Sequence, residues 1–180
     1  MFSRFFSRIS ANPIPSELYG SVMAQSRQPF FFATFGVPDT VMGRFDMLAL
    51  HAYLLARRLR SESNPDAVDL SQEVFDLFVA DVERALRELG VGDTTVPKRK
   101  KKMIRSFYGM IEDFDQPIDQ NDMETLKTKA GERFFVDMSD VEIADAQGLA
   151  DYIMSNAQHL EKQSYSNLGK GELVWLQNND

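Results

Sequence analysis

The sequence contains no cysteine, which removes disulfides, thiolate nucleophiles and thiolate metal ligands together. Only two histidines are present, His51 and His159, so the usual zinc ligand sets cannot be assembled. No run approaches the roughly 18 uninterrupted apolar residues that a bilayer span requires. At the N-terminus Arg4 and Arg8 break the apolar positions, which argues against a secretory signal. Gly90-Val91-Gly92 has too few glycines for a phosphate loop and no strand before it, and no serine stands in a nucleophile elbow. No two alternating patterns could pair as strands, and there is no repeat of solenoid length and no low-complexity linker. The many carboxylates are scattered over helical surfaces. The expectation is a protein that is not an enzyme, with no catalytic residues, no metal and no cofactor.

What is present is a chain of 180 residues, 43% hydrophobic and 26% charged, ordinary globular usage for one domain. Fourteen Phe and nine Met give it bulky, partly adaptable apolar material. The net charge of −7 is uneven: residues 1–60 carry seven Arg and three acids, residues 61–120 eight bases and thirteen acids, and the remainder five bases and eleven acids. An acidic chain with a basic front and one internal basic run is not a general nucleic-acid coat, and DNA is not expected as a partner.

Helical spacing organises most of the chain. Residues 1–12 form a basic-aromatic tail with Phe2, Phe5, Phe6 and Ile9 on one face and Arg4 and Arg8 beside it, either an interfacial helix or a frayed or targeting remnant. Pro13 and Pro15 open a helix from Ser16 to about Gln28. Pro29 to Pro38 is expected as a loop whose Phe30, Phe31, Phe32 and Phe35 either plug the core or form an exposed anchor. Asp39 is the expected N-cap of a buried central helix reaching about Arg60. Ser61 to Asp66 is a loop, and Asp69 starts a helix that Gly90 closes in left-handed geometry. Pro97 starts another to about Phe114. A further helix begins at Asp119-Gln120-Asn121, and Ser139 with Glu142 forms a capping box before the last. The prediction is an all-α single domain of about six helices around a long buried central one, with a helical domain over 13–162 and a C-terminal tail over 163–180.

Two features point beyond packing. Arg44, Asp46 and His51 interrupt the central helix, and either form a satisfied polar network or anchor a groove that receives another protein. The run Lys98-Arg99-Lys100-Lys101-Lys102, with Arg105, occupies the first turns after Pro97. There the helix dipole is positive, and each exposed cation costs about 0.3–1 kcal/mol. Such a run is either a solvated face or a site for an anionic partner, lipid or RNA.

Three stretches in combination carry a family resemblance. They are Leu18-Tyr19-Gly20-Ser21 with Ala24-Gln25-Ser26-Arg27-Gln28-Pro29-Phe30-Phe31; Gly36-Val37-Pro38-Asp39-Thr40 with Gly43-Arg44-Phe45-Asp46-Met47 and Leu50-His51; and Phe75 to Phe78, then Leu86 to Asp93, Val96-Pro97-Lys98-Arg99 and Phe107-Tyr108-Gly109. Over about residues 16–115 the chain resembles the ubiquinol–cytochrome c chaperone family, and the lack of a long N-terminal extension suggests a bacterial member. The resemblance implies an all-α chaperone that binds newly made apocytochrome b for assembly of respiratory complex III. It also implies work in the cytoplasm at the periphery of the inner membrane, or on the matrix side in a mitochondrion. On that reading Phe30, Phe31, Phe35, Arg44, Phe45, Asp46 and His51 are the expected client-binding residues. The alternative from the residues is a ribosome- or RNA-binding adaptor working through the basic run 98–105.

Overall fold

The computed structural model describes residues 12–135 and 145–176. Within them all the regular secondary structure is helical: α1 Ile14–Ser26, α2 Phe30–Ala33, α3 Val41–Arg60, α4 Pro65–Glu88, α5 Val96–Gln120, α6 Met123–Phe134, α7 Ala146–Glu161 and α8 Tyr165–Leu168. Six of these have at least twelve residues and two are single turns, matching the expected all-α domain. The expected N-terminal helix face and the Ser139–Glu142 capping box lie outside the described residues. No helix among the described residues is long and apolar enough to cross a membrane.

The central helix is α3. Leu50, Tyr53, Leu54, Leu55 and Leu59 are at most 1% exposed, and α1, α4, α5 and α7 all pack on it. Its N-cap is Thr40 rather than Asp39. Thr40 is extended and its Oγ1 accepts from the Gly43 amide at 3.1 Å, whereas Asp39 is taken up by the Arg44 guanidinium. Gly43 is required by close approach, because a Cβ there would overlap the Pro38 carbonyl.

Other helix ends shift for equally local reasons. Helix α4 begins a turn earlier than Asp69, since Asn64 accepts from the Asp66 amide and Pro65 fits the first turn. It closes as expected on Gly90, whose φ is 77°. Helix α5 runs past Phe114 through Pro117 to Gln120, ends on left-handed Asn121 (φ 52°), and leaves Asp122 to cap α6. Phe30–Ala33, expected as loop, winds one helical turn that turns Phe31 fully inward.

Three arginines at the end of α3 tie the bundle together. Arg58, 5% exposed, donates to the Leu160 and Gln163 carbonyls at the C-terminus of α7 and to Glu62, where a cation also suits the helix dipole. Arg57 reaches Asp119 and Glu161, and Arg60 pairs with Asp115 at 3.0 Å.

The segment expected as a C-terminal tail is structural over its described part. Leu168 is fully buried and Trp175 is 5% exposed. The Trp175 indole donates to Ser21 Oγ at 3.1 Å and packs edge-on against His51, centroids 5.0 Å apart. Gln163 pairs with both backbone groups of Val174, and Asn156 Oδ1 accepts from the Leu176 amide. Trp175→Ala is expected to lower unfolding free energy by about 3 kcal/mol in urea titrations. A loss below about 0.5 kcal/mol would mean that the strap is not part of the cooperative unit.

Candidate functional site

An open groove of about 450 Å³ lies between the end of α1, the start of α3, the second half of α4 and the start of α5. Val41, Phe45, Leu48, Val82, Ala85, Leu86, Leu89 and Met103 give it an apolar floor and walls. Its rim is charged with both signs: Arg27 and Arg44 stand on the α1 and α3 side, and Asp81 and Glu88 on α4. Val41 and Leu89 are 53% and 55% exposed, and Met42 beside them is 50% exposed. Large apolar side chains left open around a groove are the usual mark of a surface that receives another apolar group.

Of the expected client-binding residues, the structure brings Arg44 and Phe45 to this groove and leaves the others elsewhere. Phe45 forms the floor, 6% exposed and stacked on Phe78 at 6.1 Å. Arg44 is exposed, pairs with Asp39 at 2.5 Å, and lies over the Phe32 ring at 5.3 Å. Phe31 and Phe35 are core residues, 0% and 6% exposed, and with half-buried Phe30 they cluster around Tyr152. They present little surface to a client because α2 turns them towards α7.

His51 belongs to the same cluster and not to the groove. Its Nδ1 is 2.7 Å from the Met47 carbonyl, which can only accept, so Nδ1 carries the proton. Its Nε2 therefore accepts from the Tyr152 hydroxyl at 2.7 Å, and that hydroxyl accepts from Gln25 Nε2 at 3.0 Å. The chain is closed only with a neutral imidazole, and full burial pushes the His51 pKa down to about 4. Arg44 and His51, seven residues apart, thus do not share a network: one is at the surface and the other beneath Trp175.

Asp46 is half-buried, and burial pushes its carboxyl up to about 6 despite the opposing charge of Arg133. The Arg133 guanidinium is engaged elsewhere, with Asp113 at 3.0 Å and Ser106 at 3.1 Å. Its Nε finds no partner among the described residues.

The basic run stands as a separate surface on α5. Lys98, Arg99, Lys101, Lys102 and Arg105 are exposed, and Lys100 is half-buried against Glu83 at 2.5 Å. Sequence reasoning missed the α4 wall of the groove, Val82, Ala85, Leu86 and Leu89. The signal was there: Leu89 follows the α4 core positions by helical spacing and yet lies at the exposed helix end.

The described residues hold no group of three or more metal-ligating side chains, and the groove carries no nucleophile paired with a base. The model of the Ubiquinol-cytochrome C chaperone family matches residues 33–175, and the chain belongs to that family. The match continues well past residue 115, so the C-terminal helix and strap are included in it. A solved relative, the Cbp3 homolog from Brucella abortus, is 37% identical with a TM-score of 0.82, over 98% of this chain and 97% of that one. No curated protein matches the chain.

Asp46 and His51 make opposite demands on pH. Asp46 holds its proton more tightly when folded, so its contribution to stability is complete below pH 4 and is lost as pH rises through about 6. His51 holds its proton less tightly, so its contribution is complete above pH 6.5 and is lost as pH falls towards 4. Asp46→Asn is therefore expected to leave stability unchanged at pH 4 and to raise it by about 2 kcal/mol at pH 7. Urea titrations across that range check this, and a gain independent of pH would contradict it.

Proposed function

We propose that this chain is a non-catalytic assembly chaperone that binds newly made cytochrome b during biogenesis of ubiquinol–cytochrome c reductase, at the cytoplasmic periphery of the inner membrane. The observation that carries the reading is the open apolar groove of a family member, with Val41 and Leu89 left exposed at its edges. A membrane-protein client exposes apolar helical surface before assembly, and an amphipathic or apolar helix laid in a groove is a recurrent recognition mode. Met103 in the wall suits a client whose side chains vary along its length. The mixed rim, Arg27 and Arg44 against Asp81 and Glu88, would fix the client's direction more than its affinity. On this reading client binding draws on Arg44 and Phe45 from the expected set, while Phe30, Phe31, Phe35 and His51 belong to the separate cluster around Tyr152.

The double variant Val41→Glu, Leu89→Glu places charges on exposed groove edges and should leave the thermal midpoint within a few degrees of the parent. Each apolar contact removed is worth about 1–1.5 kcal/mol, and 1.4 kcal/mol is tenfold. Capture of cytochrome b by the tagged protein should therefore fall at least tenfold, with a matching fall in assembled complex III. Normal complex III in cells carrying only the folded double variant would refute the groove as the client site.

A further inference from the structure

The basic face of α5 is not used by the groove, and its construction is specific. Lys98, Lys101, Lys102 and Arg105 are related by three- and four-residue steps and so form one stripe, with Arg99 alongside. The next position on that stripe is Tyr108, 52% exposed. Lys100, which points off the stripe, is the member of the run that finds an acid, Glu83. Among the described residues the other five cations make no ion pair, and the first turn of α5 has no acidic residue. Arg87 and Arg84 on the neighbouring helix are already matched with Glu83, Asp93 and Asp81. Five cations that are unmatched among the described residues crowd the first three turns of α5, on a chain of net charge −7, with Lys98 and Arg99 against the helix dipole and all five repelling one another.

We infer that this stripe is a docking surface for an anionic lipid bilayer, with Lys98, Arg99, Lys101, Lys102 and Arg105 in the headgroup region and Tyr108 as its interfacial aromatic. Two observations favour a bilayer over RNA. The stripe lies along the exposed face of one helix, about 10 Å from Lys98 to Arg105 at the α-helical rise. Among the described residues the neighbouring Arg84 and Arg87 are already paired with acids and add no free cations along which a phosphodiester backbone could be tracked. The concavity next to it is apolar, with Arg27 and Arg44 balanced by Asp81 and Glu88 on its rim, so it does not extend the cationic surface along which a polyanion could run. An exposed aromatic continuing a cationic stripe suits a membrane interface, where such rings lie at headgroup level. Met103 shares α5 with the stripe and lines the groove, so docking there would hold the groove mouth beside the membrane surface.

The test uses the full chain and vesicles alone, so its failure leaves the client reading intact. In flotation assays the parent should bind vesicles of phosphatidylcholine with phosphatidylglycerol, ignore pure phosphatidylcholine, and be released by salt. Each cation near an anionic surface contributes roughly a fivefold factor. The variant Lys98→Gln, Arg99→Gln, Lys101→Gln, Lys102→Gln, Arg105→Gln should therefore lose more than about a hundredfold in partitioning, while Lys100→Gln alone changes it little. Its thermal midpoint should not fall below the parent's, which separates lost binding from lost folding. Equal binding by the folded five-site variant, or no binding by the parent, would overturn the assignment. So would tighter binding of the parent to ribosomes or homopolymer RNA than to the anionic vesicles, if the five-site variant abolishes it.

Discussion

Helix α3 has almost no face that can be given to water. Twelve of its twenty residues are buried, distributed all round the axis, so it must be enclosed by α1, α4, α5 and α7. Enclosure creates a problem at each polar residue it carries, because an unpaired buried donor costs about 1–3 kcal/mol. His51 is answered by Tyr152 and the Met47 carbonyl, Arg58 by the exposed carbonyls at the end of α7, and Tyr53 by Asp115 at 2.8 Å. Those partners fix where α5 and α7 lie. The C-terminal strap then closes over His51 through Trp175, so the last described residues depend on the same helix as the first.

The groove follows from where this enclosure stops. At the first turn of α3 the helix emerges between the ends of α1 and α4, and Val41, Met42 and Arg44 leave the interior while Phe45 stays as the floor. The charged rim and the exposed Val41 and Leu89 are thus a consequence of helix ends meeting where no further element among the described residues covers them. A family of chaperones for ubiquinol–cytochrome c reductase offers a reason for such an opening to persist. On the proposed reading the opening receives apolar surface that belongs to another chain.

Much of the fold was legible because helical spacing and end chemistry are local. The 3.6-residue pattern placed α3 and its end at Arg60, and Gly90 marked a left-handed stop that the structure contains. Thr40 against Asp39 was not decidable locally, since both side chains are good caps and the choice rests on the Asp39–Arg44 ion pair. Pro117 hid the last turns of α5, because a proline in that turn is tolerated only when burial compensates for the missing hydrogen bond. The site was less legible than the fold. Clustered aromatics at 30–35 drew attention as an anchor, yet the turn that buries Phe31 depends on Tyr152 more than a hundred residues away. The groove wall on α4 is made of ordinary-looking residues whose exposure is decided by neighbouring helices. Chemistry that resides in single residues, such as the basic stripe, is visible in sequence, whereas a concavity is a property of packing.

The central claim is that apolar client surface is received at the α1–α3–α4–α5 groove and not at the aromatic cluster under α2. Photo-crosslinking in the native cell, with a photoreactive residue at Leu89 or at Phe30, separates the two places directly. The account predicts cytochrome b adducts from Leu89 and none above background from half-buried Phe30. Adducts from Phe30 with none from Leu89 would contradict it and move the client site to the α2–α7 face.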